Sequence, residues 1–286
     1  MIDGRLSAAL LALGLWLLPA APLSAGEARS GSIVIDYVAP ADPKLKPYYD
    51  LARAGRLLEY VQFVFAPLRL PRPLTIRTTA CGGDVDAWYE NDVVQVCYEY
   101  LRYVDGLSRS RRRPADLSER DAFLGPVIEV FLHEGAHAIF DYLHIPILGR
   151  EEDAADQLAA LGLLGFETEI SKGLISGLLH MHLNDAGFRT IRQLNRRHIR
   201  LADPKSMADE HSTALQRLYT TLCLAVGSGK EGFAGAVGKV LPADRAESCP
   251  AEYAQVVHAY RTLVLPHVDP AVGAANHPFG WTAPAP

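Results

Sequence analysis

The stretch from Val127 to Leu143 is apolar enough to be a buried helix, yet it carries His133, Glu134 and His137 near its centre. Burying a neutral polar group without a partner costs roughly 2–7 kcal/mol, and an ionised one costs more. Any fold of this chain must therefore bring something for these side chains to bind. Residues four apart share a helix face, so His133 and His137 can aim both imidazoles at one point. Glu134 lies about a quarter-turn round from His133. Pro126 is expected in the first turn of this helix, where a missing N–H costs nothing. The helix should end at His144, because Ile145 before Pro146 is steered away from helical geometry.

A second helix is expected from about Arg150 to Leu164, with Glu151, Glu152 and Asp153 in its first turn, where the helix dipole favours negative charge. Glu152 and Asp156 are four apart and share a face. One carboxylate can bind a cation while the other accepts the N–H of a ligating histidine and so fixes its tautomer. Two imidazoles and one carboxylate are a zinc donor set, and His133, His137 and Glu152 would leave a fourth position open to water. A carboxylate beside the first histidine, as Glu134 is, can reach that water. The competing reading is two histidines bonded to backbone, with Glu152 and Asp156 as solvated acids at a helix start.

Around this pair, Ser32 to Val38 reads as a strand, Pro47 to Phe65 as one amphipathic helix, and Leu74 to Thr79 and Val93 to Tyr98 as further strands. The later chain reads as helical over Ser171–Leu183, Phe188–His198, Ser206–Val226, Glu231–Val240 and Ala251–Val264. His180 and His182, two apart, fall on different helix faces and read as incidental.

The pattern His133-Glu134-x-x-His137 followed by Glu152-x-x-x-Asp156 resembles the gluzincin branch of the zinc peptidases. The longer run from His133 to Gln157, with Cys97-Tyr98-Glu99 and Asp209-Glu210-His211, resembles a bacterial family of unknown function described as metallopeptidases. The resemblance implies an α+β, zincin-like fold with a small N-terminal mixed β-sheet lobe (27–143) and a mainly helical lobe (144–268). It implies a zinc ion on His133, His137 and Glu152, Glu134 as general base, Asp156 as the partner of His133, and a peptide or protein substrate. It also implies a cleft-edge strand just before the metal helix, for which Val93–Tyr98 is the candidate. A histidine of the helical lobe would stabilise the oxyanion, and His211 is the candidate. The same Asp209-Glu210-His211 cluster could instead cap and pack a helix start. Where the family usually has asparagine before the ligand glutamate, this chain has Glu151, so Glu151 and Glu152 could exchange roles.

The N-terminus adds a compartment. Arg5, an uncharged apolar run from Leu6 to Leu18, and small residues at Ala20, Ala21, Ser24, Ala25 and Gly26 read as a secretory signal over 1–26. Its apolar core is short for a membrane span, so the mature chain is expected to be secreted or periplasmic with no stable span. In such a compartment four cysteines favour two disulfides, and sequence neighbours give Cys81–Cys97 and Cys223–Cys249. A net charge of −5, with one arginine cluster at 109–113, does not describe a nucleic-acid binder. The tail 269–286, rich in Pro, Ala and Gly, is expected to be poorly ordered. Two other classes stay open: a secreted zinc- or peptide-binding protein without catalysis, and a helical scaffold without metal.

Overall fold

A computed structural model of the chain describes residues 32–188 and 208–270. The expected leader over 1–26 lies outside them, as do all but the first residue of the expected helix Phe188–His198 and all but the first two of the tail 269–286. The architecture is α+β, a small mixed sheet followed by helices.

Strand β1 (Ile33–Tyr37) leads into α1 (Lys46–Ala54) and α2 (Leu57–Phe65). The sequence reads these two as one helix. They are two because Gly55 ends the first and Arg56 takes a left-handed conformation, φ 52°. A glycine inside a helical pattern is the signal for that break. Strands β2 (Leu74–Thr79), β3 (Ala87–Glu90) and β4 (Val93–Cys97) complete a sheet of order β1-β2-β4-β3. β1 and β4 run parallel to β2, while β3 returns antiparallel on β4. This corrects the expectation for Val93–Tyr98: β4 is an interior strand, and β3 forms the sheet edge on that side. The reason is local. Asn91 and Asp92 both take positive φ, 51° and 63°, the geometry of a tight hairpin that folds 87–90 back onto β4.

The strands alternate as half-buried strands must, with Leu74, Ile76 and Thr78 inward and Thr75, Arg77 and Thr79 only half-buried. α2 covers this inner face with Leu58, Val61 and Phe65. Helix α3 (Tyr98–Ser108) follows β4 directly.

Helix α4 (Glu119–Leu143) is the axis of the molecule. It begins at Ser118, whose Oγ accepts the Asp121 N–H at 2.9 Å, so Pro126 lies two turns inside the helix rather than in its first turn. α4 is buried nearly all round, against α3, the sheet, α5 (Glu151–Gly165) and α6 (Thr168–Asp185). Two glycines allow backbone contact with α6: a Cβ at Gly125 would lie 2.2 Å from Leu174 O, and one at Gly177 would lie 2.1 Å from Asp121 O. α4 ends as expected at His144, which takes φ 50° as the Ile145 N–H returns to Phe140 O at 3.0 Å.

The C-terminal helices are α7 (Ala214–Gly227) and α8 (Cys249–Leu263). Here the expected Ser206–Val226 helix starts late, because Thr213 and Gln216 form a reciprocal cap. His211 is therefore in a loop. The expected Glu231–Val240 helix reduces to one turn at 234–236, with Gly232 and Gly238 at φ 100° and 76°. Both disulfides join sequence neighbours, Cys81–Cys97 and Cys223–Cys249, with Cα atoms 5.6 and 5.0 Å apart. Among the described residues no helix is long and apolar enough to cross a membrane. Disulfides of this kind belong to oxidising compartments.

Candidate metal centre

The first turns of α5 pack across the middle of α4, and that crossing brings the singled-out side chains together. His133 Nε2 and His137 Nε2 are 3.3 Å apart. Glu152 reaches both, with Oε2 3.0 Å from His133 Nε2 and Oε1 3.5 Å from His137 Nε2. Donor atoms about 2.0–2.1 Å from one tetrahedral ion stand about 3.3 Å from one another. Two imidazole nitrogens 3.3 Å apart, and a carboxylate with one oxygen 3.0 Å from the first and the other 3.5 Å from the second, fit such an ion in spacing and in chemistry.

The outer nitrogens are held by other carboxylates. His133 Nδ1 is 2.8 Å from Asp156 Oδ1, and His137 Nδ1 is 2.8 Å from Glu151 Oε1. Such bonds place a proton on Nδ1 and turn the Nε2 lone pair inward. Adjacent acids thus have separate tasks: Glu152 faces the inner nitrogens and Glu151 the outer nitrogen of His137. Burial opposes charge on His133, but its hydrogen bonds to Asp156 and Glu152 prevail and raise it to about 10. His137 is raised too, as its bonds to Glu152 and Glu151 outweigh burial. Glu152, accepting from His133, His137 and His211, is held well below the usual carboxylate range.

Glu134 is 8 % exposed, and burial pushes its carboxyl upward while the charges of His133 and His137 pull it back. A carboxylate raised by burial is a better proton acceptor than an exposed one. Gly135 seats this part of α4, because a Cβ there would lie 2.2 Å from Phe65 Cζ.

His211 comes from the loop before α7. Its Nε2 is 3.0 Å from Glu152 Oε2, its ring stacks 6.2 Å from that of His133, and its Nδ1 is 3.3 Å from Asp209 Oδ1. The loop is tied to α5 by Ser212 Oγ, which donates to Asp153 Oδ1 at 2.6 Å.

The structure therefore gathers His133, His137, Glu152, Glu151, Asp156 and His211 at one place, with Glu134 on the same turn of α4. Two members escaped the sequence reading. Arg217 on α7 donates from Nε and Nη2 to Asp156 at 2.8 and 2.6 Å, and Nη2 also reaches Glu129 Oε1 at 3.1 Å. Glu129 precedes His133 by four residues, so a glutamate on the buried histidine face was the available signal. Nothing in the sequence marks Arg217 as its partner.

The chain belongs to the family described as "Putative metallopeptidase", which matches residues 37–264, a span that includes every residue of this centre. At a coarse level that description supports a hydrolase that uses a metal and acts on peptides or proteins. No curated protein and no solved structure matches the chain.

Proposed function

We propose that this chain is a secreted, gluzincin-like zinc metallopeptidase that hydrolyses peptide bonds. The observation carrying the reading is the convergence of His133 Nε2, His137 Nε2 and the Glu152 carboxylate within 3.0–3.5 Å of one another. Zinc bound there would polarise the scissile carbonyl and acidify the attacking water. Glu134 would hold the proton that the attacking water gives up and return it to the leaving nitrogen, first base and then acid. Asp156 and Glu151 keep the imidazoles in the ligating tautomer. His211, whose side chain is half exposed beside Glu152, would donate from Nε2 to the developing oxyanion. The edge strand β3 offers unpaired backbone groups to an extended substrate. It is anchored beside the metal helix by Tyr89, whose hydroxyl donates to Asp141 at 2.7 Å.

A second reading has one observation in its favour. His211 Nε2 lies close enough to Glu152 to act as a further donor, which would close the site and make it a zinc-binding centre without turnover. Mass-spectrometric metal content of the purified chain, with a peptide-library cleavage profile, decides among these. One equivalent of zinc with cleavage supports the peptidase, zinc without cleavage supports the closed centre, and no metal removes both.

A further inference from the structure

The contact between Arg217 and Asp156 has consequences beyond tying α7 to α5. Asp156 Oδ1 faces His133 Nδ1 at 2.8 Å and also accepts Arg217 Nη2 at 2.6 Å, while Oδ2 accepts Arg217 Nε at 2.8 Å. A two-pronged guanidinium fixes the plane of a carboxylate, which a single point charge cannot do. The carboxylate plane in turn decides where Oδ1 points, and Oδ1 decides the angle and tautomer of the His133 ring. Glu129 is buried, Asp156 keeps about a tenth of its side chain exposed, and Arg217 lies between them with only about a fifth of its own exposed. His182, buried beside the cluster, adds no charge: burial drives it down to about 3, and the Arg217 charge pushes the same way.

We infer that Arg217 is a positioning residue of the metal centre, holding Asp156 so that His133 presents Nε2 to the ion. This rests on the reading of His133 as a ligand. A guanidinium between a buried carboxylate and a largely covered one could instead serve only to neutralise Glu129 and hold the helices together. The two roles separate when Glu129 loses its charge.

The test is zinc affinity of the full chain, measured by competition with a chromogenic chelator, alongside thermal unfolding of the metal-free proteins. Arg217→Met should weaken zinc binding about 10–100-fold, the usual cost of losing a partner behind a ligating histidine. Arg217→Lys should recover only part, since it keeps the charge and loses the fork. Glu129→Gln with Arg217→Met removes the orphaned carboxylate, so it should regain thermal stability and stay weak for zinc. In an Asp156→Asn background, Arg217→Met should cost less than about twofold more, as expected of two groups acting in series. Wild-type affinity in the Glu129→Gln/Arg217→Met chain would overturn the inference, as would the full loss recurring on Asp156→Asn. A wild-type chain that binds no zinc would instead sink the proposed function, and the inference with it.

Discussion

Asp156 and His133, on successive helices, meet through Oδ1 and Nδ1 at 2.8 Å, a contact that favours the protonated ring against its burial. Burial works against that charge, yet the bonds to Asp156 and Glu152 raise His133 from 6.5 to about 10. A folded-state pKa above the unfolded one adds stability that is fully present below about 6.5 and is lost as pH rises through about 10. Metal competes with the same protons. Zinc affinity should therefore strengthen as pH rises from about 6 to 8, and the heat of binding should depend on the buffer's own protonation enthalpy. A dissociation constant flat across that range would contradict this account.

Glu134→Gln should leave zinc content at the wild-type level, because the carboxamide keeps the shape of α4 and Glu134 is not among the three donors. Turnover should fall about 10²–10⁴-fold, the usual worth of a positioned base. His137→Ala should lose both metal and cleavage. Metal analysis beside a fluorogenic peptide assay reads both variants, and cleavage surviving Glu134→Gln would remove Glu134 from the mechanism.

His211→Ala distinguishes an oxyanion donor from a resident ligand. As a donor, its loss should lower kcat about 10²–10³-fold while KM and zinc content change little. If cleavage rises instead and zinc binding weakens, His211 is a ligand that closes the site.

Gly135 faces Phe65, and a methyl there would stand 2.2 Å from the ring. Gly135→Ala should destabilise the fold by about 1–3 kcal/mol through overpacking, despite alanine's better helix propensity. Phe65→Leu added to it should recover part of that loss, giving a non-additive pair in denaturant unfolding. Additive costs would place the strain elsewhere.

The Cys81–Cys97 bridge spans 16 residues, and its loop is further held by Glu99, whose carboxylate accepts the Cys81 and Gly83 N–H groups. Replacing both cysteines by serine should cost about 3 kcal/mol on the chain-entropy account. That loss should appear in chemical unfolding with zinc affinity unchanged, because none of the converging donors lies in this loop.

Much of the centre was legible in one dimension because helix periodicity is local. His133 and His137 share a face by spacing alone, as do Glu152 and Asp156, and the α4–α5 turn at His144 to Gly149 is written in the Ile-Pro step. Element ends were harder. Ser118 carries the α4 start well ahead of Pro126, and Thr213 leaves His211 in a loop, since a cap depends on which backbone N–H groups lack partners. The Asn91-Asp92 hairpin, which makes β4 an interior strand, was a readable turn signal.

By itself the sequence determined that two imidazoles and a carboxylate would be buried on one helix and that three acids would open the next, because period and polarity are properties of neighbours along the chain. Only the tertiary structure decided that Glu152 faces the inner nitrogens and Glu151 an outer one, and that Arg217 comes from 61 residues away to grip Asp156. Those choices depend on how α5 packs on α4 and how α7 packs on α5 and α6. Close packing sets that arrangement, as the backbone contact at Gly125 and Gly177 sets α6 on α4, and no short-range rule contains it.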